Sequence, residues 1–243
     1  MAKSKFLVLV FVVLSFTTVK ASYKTDIYDA YVAGNMVKWK KIIDEMDLQK
    51  VKNNEFILEL VNYQYGYVMM CVTKKQDDLA EQYLNLAEKN VQLLESNKYK
   101  LSMVAAYKSA FIGFRIGISP YKAPFLGSKS TENAKLAIEL DKNNPYGYIQ
   151  FGTGLYHTPS IFGGSKTLAL DNLSQAQRLM ELDETQIKND WNYLYLLTFM
   201  AKIYTEIGLY GTAKLYYEKI LKSEQNFLLV KNELYPQLLK KIK

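Results

Sequence analysis

Apolar positions recur at intervals of three and four residues along most of the chain, which is the spacing of one face of an α-helix. Breaks rich in glycine or asparagine separate these periodic segments. Strand-like alternation is nearly absent, so the pattern predicts an all-α fold. The predicted helices cover residues 24–33, 35–46, 54–72, 76–95, 99–118, 130–141, 145–156, 166–182, 189–207, 210–222 and 226–241.

Several helix pairs share one pattern of small and aromatic residues. The clearest unit places Ala201 and Ala213 on successive helices, so that the two helices can approach closely. Tyr204 and Tyr217 fill the space around that contact, and Gly208 stands at the turn, where a positive φ is tolerated. Related patterns occur in the segments 65–87, 130–145 and 148–176, with a weaker hairpin around Gly34 and Asn35.

This tandem pattern resembles the tetratricopeptide repeat family, specifically its exported bacterial members. The resemblance covers most of residues 24–222. It implies a superhelix of about five helical hairpins, closed by a C-terminal capping helix that Pro236 kinks. It also implies that the protein binds a partner through a concave helical surface.

The N-terminus has the pattern of a secretory signal peptide. Lys3 and Lys5 precede an apolar stretch over 6–19, which is too short to span a membrane, and Ala21 provides a small residue for cleavage. We therefore expect residues 1–21 to be removed, leaving one domain over 22–243. The expected location is the periplasm or the exterior of the cell, and we expect the mature protein not to span a membrane.

Composition narrows the classes of function. The net charge of +7 falls to a mild +4 once the three lysines of the signal peptide are removed, which argues against nucleic-acid binding. One cysteine and one histidine argue against a zinc site of the usual kinds. We expect no catalytic residues, no metal and no cofactor.

The most unusual segment is the insertion Tyr156–Thr167, which contains His157, Phe162, two glycines, Ser165 and Lys166. A structural interpretation has Ser165 cap the next helix and Phe162 plug the loop into the hairpin. A functional one has the helix N-terminus and Lys166 capture an anion. The Gly-Ser-Lys element also occurs at 127–129, again before a predicted helix, so we interpret both segments as related turns.

The Pro159-x-x-Phe162-Gly-Gly loop also resembles secreted tetratricopeptide proteins that accompany TRAP-type solute transporters. That weaker resemblance implies a ligand cavity and a substrate-binding subunit as partner.

A second candidate site is the basic pair Lys108 and Arg115, seven residues apart on one helical face. Arg115 either bonds a carboxylate of a neighbouring helix or lines a basic pocket for an acidic ligand. The predicted binding residues are thus Lys108, Arg115, Tyr156, His157, Phe162 and Lys166.

Three functions stay open at this point. The leading one is an exported, non-catalytic binding protein for a protein or peptide in the cell envelope. The alternative is a periplasmic transporter accessory that holds a small acidic ligand in a cavity. An enzyme of unknown type is third.

Overall fold

The computed structural model describes residues 23–242, and the predicted signal peptide lies outside them. Helices and short helical turns account for all regular structure in that range, so the prediction of an all-α fold is confirmed. The α-helices are α1 (Tyr23–Val32), α2 (Met36–Asp47), α3 (Asn54–Thr73), α4 (Asp77–Ser96), α5 (Leu101–Ile118), α6 (Ala123–Leu140), α7 (Pro145–His157), α8 (Lys166–Met180), α9 (Glu184–Ile187), α10 (Trp191–Glu206), α11 (Tyr210–Ser223) and α12 (Tyr235–Ile242).

These helices pair as five antiparallel hairpins: α1–α2, α3–α4, α5–α6, α7–α8 and α10–α11. We call the first helix of each hairpin A and the second B. The A helices of successive hairpins also contact one another, as α3 does α5 and α5 does α7. The small residues predicted at the clearest hairpin, Ala201 and Ala213, are fully buried, and Gly208 has φ +81°.

Aromatic rings from distant hairpins meet on the inner side of the molecule. We call this set the inner aromatic cluster: Tyr31, Trp39, Tyr65, Tyr107, Phe114 and Trp191. Trp191 lies at its centre, with its ring centroid 5.1 Å from that of Trp39 and 5.8 Å from that of Tyr31. A Cβ on Gly66 would lie 2.6 Å from Trp39 and 2.7 Å from Trp191, so glycine allows this close approach.

The cluster joins the two ends of the described chain. Helix α1 contacts α10, the Lys24 ammonium donates to the Gln186 carbonyl at 3.0 Å, and the Tyr28 hydroxyl donates to Glu224 at 3.1 Å. The Tyr31 ring also lies 5.1 Å from Phe227. The superhelix therefore curls until its first and last hairpins meet, and its inner side is filled by its own side chains.

The structure corrects the predicted start of α6. Residues 124–129, predicted as a long turn, belong to the first two turns of that helix. Pro124 is compatible with this, because a first-turn residue has no intrahelical N–H bond to lose. The predicted C-terminal helix contains a π-helical turn over Val230–Leu234, and α12 follows it with Pro236 as its second residue.

Candidate ligand-binding site

The structure brings together four of the six predicted site residues, at the corner where α7 ends and α8 begins. Tyr156 and His157 close α7, and the loop 158–165 returns so that the Ser165 N–H donates to the Leu155 carbonyl at 3.0 Å. The Ser165 hydroxyl accepts from the Leu168 N–H at 3.2 Å, which confirms the predicted cap. The loop thereby holds Lys166 beside the end of α7.

The same corner shows that the predicted role of Phe162 is wrong. Its side chain is 75% exposed, and its neighbour Ile161 is 83% exposed. Neither residue plugs the loop into the hairpin. The tight return of the chain at Gly163, with φ +88°, turns the short 3₁₀ segment Ser160–Phe162 outward.

Helix α10 contributes residues that sequence reasoning missed. Phe199 and Tyr195 stand one turn apart, and their rings stack at 5.8 Å with an angle of 10°. The His157 ring lies nearly parallel to Phe199, at 6.5 Å and 16°, while Tyr156 meets Phe199 edge-on at 5.0 Å. His157 is therefore the exposed end of an aromatic ladder that runs inward along α10.

A carboxylate on α10 organises the charges of this corner. Glu206 accepts from the Tyr156 hydroxyl at 2.8 Å and from the Lys166 ammonium at 2.9 Å. Lys202 lies 3.9 Å from the same carboxylate and 5.7 Å from the centre of the Tyr156 ring. Two cations against one anion leave the corner with net positive charge.

Protonation states follow from these contacts. Burial opposes ionisation of Glu206, but hydrogen bonds from Lys166 and Tyr156 outweigh it and lower the pKa of that carboxyl. Desolvation beside the neighbouring rings lowers the pKa of His157, and the Lys202 ammonium acts in the same direction. His157 is therefore neutral at pH 7, and neither of its ring nitrogens has a hydrogen-bond partner among residues 23–242.

The basic pair has a different environment. The guanidinium of Arg115 forms two parallel bonds to Glu88, from Nε to Oε1 at 2.9 Å and from Nη2 to Oε2 at 2.6 Å. Lys108 pairs with Glu95. The structure therefore shows the first alternative for Arg115, a carboxylate of a neighbouring helix.

Both cations face α4 and not a shared inner surface, because Glu88 and Glu95 both lie on that helix. A cavity of about 400 Å³ between α4, α5 and α6 is lined in part by Lys108, Glu88 and Phe111. The structure does not bring Lys108 and Arg115 together with the four predicted site residues of the α7–α8 corner.

Two further properties concern the described chain as a whole. Within residues 23–242, no group of three or more His, Cys, Asp or Glu side chains is arranged to hold a metal ion. One helix of the described chain, α5, is long and apolar enough to cross a membrane by length and composition. It contacts α3, α4, α6 and α7, as a core helix does.

Comparison with known proteins adds a likeness of fold. No family model and no curated protein matches the chain. Among solved structures, it is similar to the HusA haemophore from Porphyromonas gingivalis, with a TM-score of 0.62 and 16% sequence identity. The likeness covers 78% of this chain and 94% of that chain. At this identity it shows a shared fold.

Proposed function

We propose that this protein is an exported, non-catalytic carrier that binds a tetrapyrrole such as haem at the α7–α8 corner. The observation that carries the proposal is His157. It is the one histidine of the chain, it is exposed, and both of its nitrogens are free of hydrogen bonds to the described residues. A neutral imidazole in that state is a good ligand for haem iron.

The surroundings of His157 match the other parts of such a ligand. Haem is a planar apolar ring that carries two carboxylates. Lys166 and Lys202 supply positive charge for the carboxylates, and the partly exposed Tyr156 ring supplies aromatic surface that is supported from behind by the buried Phe199. The structural likeness to a haemophore supports the same class of ligand.

The openness of the corner bears on how such a carrier works. His157 stands at the surface and not in an enclosed cavity. An exposed site can release its ligand to a receptor without opening the fold. The chain's own residues hold the site in place: Glu206 fixes Tyr156 and Lys166, and Ser165 fixes the start of α8.

The other functions and properties predicted from the sequence remain predictions. The kinship with tetratricopeptide proteins and the export signal stay predictions from the residues. The alternative of a transporter accessory that holds a small acidic ligand agrees with the net positive charge of the corner. A protein or peptide partner is compatible with the fold, although the inner side is filled by aromatic rings, so we expect such a partner on the outside.

The test is a titration of the purified protein with haemin and, separately, with metal-free protoporphyrin IX, followed by the Soret band. We expect saturable shifts with both ligands. The His157→Ala variant should lose the spectrum of a histidine–iron bond but still bind protoporphyrin, because only the iron bond uses the imidazole. The chain has no second histidine to substitute for it.

Lys166→Gln together with Lys202→Gln should weaken both porphyrins about tenfold or more, since two charged contacts are lost. A matched control changes two exposed lysines away from the corner, Lys41→Gln and Lys50→Gln, and should leave both titrations unchanged. Absence of a Soret shift with both porphyrins would overturn the proposal.

A further inference from the structure

Exposed aromatic side chains are confined to one part of the surface. Within residues 23–242, the strongly exposed Phe, Tyr and Trp side chains are Tyr121, Phe125 and Phe162, at 74%, 75% and 75%. Two lie where α5 gives way to α6, and the third lies in the loop from α7 to α8, beside the exposed Ile161. These positions lie at or beside the junction of an A helix with its B helix, and we call each such junction, including the first turn of the B helix, a turn.

The two turns face the same edge of the molecule. Helices α5 and α7 contact each other, and at their N-terminal ends the Asn144 amide donates to the Ser102 hydroxyl at 2.7 Å, so the two helices run parallel and their C-terminal ends point the same way. Contacts at other A-helix ends confirm this arrangement. A Cβ on Gly117 would lie 2.9 Å from Val72 near the end of α3, and Tyr156 at the end of α7 bonds Glu206 at the end of α10. We call this surface the aromatic edge; its exposed tips are Tyr121, Phe125, Ile161 and Phe162.

Charge distinguishes the aromatic edge from the rest of the surface. Residues 101–131 and 142–170, which contain both turns, include no aspartate or glutamate. In the first stretch Lys108 and Arg115 are neutralised by carboxylates of α4. Lys122 and Lys129 make no ion pair with a described residue, and Lys122 lies 5.8 Å from the Tyr121 ring.

The opposite edge has exposed apolar residues of similar accessibility but a different charge. Val51 is 90% exposed and Leu182 is 80% exposed. Leu182 stands between Glu181 and Asp183, and near Val51 the Lys52 ammonium is paired with Asp47 at 3.0 Å. Both apolar tips of that edge therefore lie close to carboxylates, and Lys50 beside Val51 makes no ion pair with a described residue. What distinguishes the aromatic edge is that neither of its two stretches contains a carboxylate.

We propose that the aromatic edge docks on the surface of a membrane that contains anionic phospholipids. Aromatic and aliphatic tips beside lysines are suited to the headgroup region, where the rings enter the apolar boundary and the ammonium groups meet lipid phosphates. The tips project outward, and a deformable, negatively charged plane can accept two projecting turns at once. This proposal does not depend on the ligand of the α7–α8 corner, although docking would hold that corner near the membrane.

The experiment is co-sedimentation of the purified protein with vesicles of phosphatidylcholine alone or mixed with phosphatidylglycerol, after its N-terminus has been determined by mass spectrometry. We expect binding to the mixed vesicles that weakens as salt rises. Phe125→Ser with Phe162→Ser should reduce the partition coefficient about tenfold or more, because two apolar tips no longer enter the interface. Lys122→Gln with Lys129→Gln should reduce it by a similar factor on mixed vesicles.

The matched control is Val51→Ser with Leu182→Ser on the opposite edge, which should leave the partition coefficient unchanged. All of these positions are exposed except the partly buried Lys122, and the melting temperature of each variant verifies that it is folded. The proposal is wrong if the native protein does not sediment with mixed vesicles, or if the control loses as much binding as the aromatic-edge variant. Capture of a protein by this edge without vesicle binding also counts against it. A Soret titration without vesicles reports on the porphyrin site alone, so the two proposals can fail separately.

Discussion

The inner aromatic cluster and the aromatic edge use the same residue types for opposite purposes. In the cluster, Trp39 and Trp191 are almost completely buried, because rings from separate hairpins cover one another. At the edge, Phe125 and Phe162 have no such cover and stay three-quarters exposed. The cluster therefore contributes to stability, whereas the edge leaves apolar surface exposed.

The largest effect is expected from breaking the cluster at its centre. Trp191→Ala should lower the free energy of unfolding by about 3–5 kcal/mol, measured by chemical denaturation, because four ring neighbours lose their common contact. Trp191→Phe is the matched control. It keeps an aromatic ring and removes a buried indole N–H that has no hydrogen-bond partner among the described residues, so its cost should be clearly smaller. Equal losses for both variants would contradict this account.

A smaller effect is expected at the ion pairs between α4 and α5. Arg115→Met should lower the free energy of unfolding by about 1–2 kcal/mol, since it removes the two bonds to Glu88. The loss is moderate because both side chains of this pair are partly exposed to solvent. Lys108→Met removes a single bond to Glu95 and should cost about 1 kcal/mol or less. If Lys108→Met lowers the free energy of unfolding more than Arg115→Met in the same denaturation series, the two parallel bonds of Arg115 do not contribute more than the single bond of Lys108.

Phe162→Ala tests the exposed half of the comparison, the aromatic edge. The free energy of unfolding should change by about 0.5 kcal/mol or less, because the ring is exposed and buries little surface. Thermal and chemical denaturation of this variant beside Trp191→Ala measure the contrast directly. A loss of 3 kcal/mol or more would place Phe162 in the core and remove it from the aromatic edge.

The smallest expected change is a pH dependence at the α7–α8 corner. The pKa of His157 is lowered from its usual 6.5, so the neutral imidazole persists below that pH. The histidine–iron spectrum with haemin should be constant from pH 8 to about 6.5 and decline only at lower pH, as protonation removes the lone pair. Soret titrations across this range check it, and a midpoint above pH 7 would contradict the depressed pKa.

How far the sequence predicts this structure differs between the two regions. Helix spacing and the Ala and Gly positions of each hairpin are local signals, and they predict the five hairpins and the turn at Gly208. The meeting of Trp39 with Trp191 has no local signal, because it depends on how far the superhelix curls. Nothing in the pattern around either tryptophan indicates the other.

The same difference between local and distant contacts explains why the sequence predicts only part of the candidate site. Tyr156, His157 and Lys166 are close in sequence and were found together, whereas Phe199, Lys202 and Glu206 come from α10 and were missed. For Arg115 and Lys108, the sequence does contain a signal that indicates their partners. Glu81, Glu88 and Glu95 follow one another at seven-residue intervals on α4, which matches the spacing of Lys108 and Arg115 on the next helix and indicates internal ion pairs.

Closure of the superhelix has a consequence for how the chain folds during synthesis. The ribosome produces α1 almost two hundred residues before Phe227, yet these two segments are mutual partners through Tyr31. Each hairpin can form as it emerges, since its two helices are neighbours in sequence, but the inner cluster must wait for α10. Until then, Tyr31, Trp39 and Tyr65 remain uncovered on a nascent chain. Fragments that stop before Trp191 should accordingly keep helical hairpins but bind chaperones, and we expect resistance to proteases only after α10 has been synthesised.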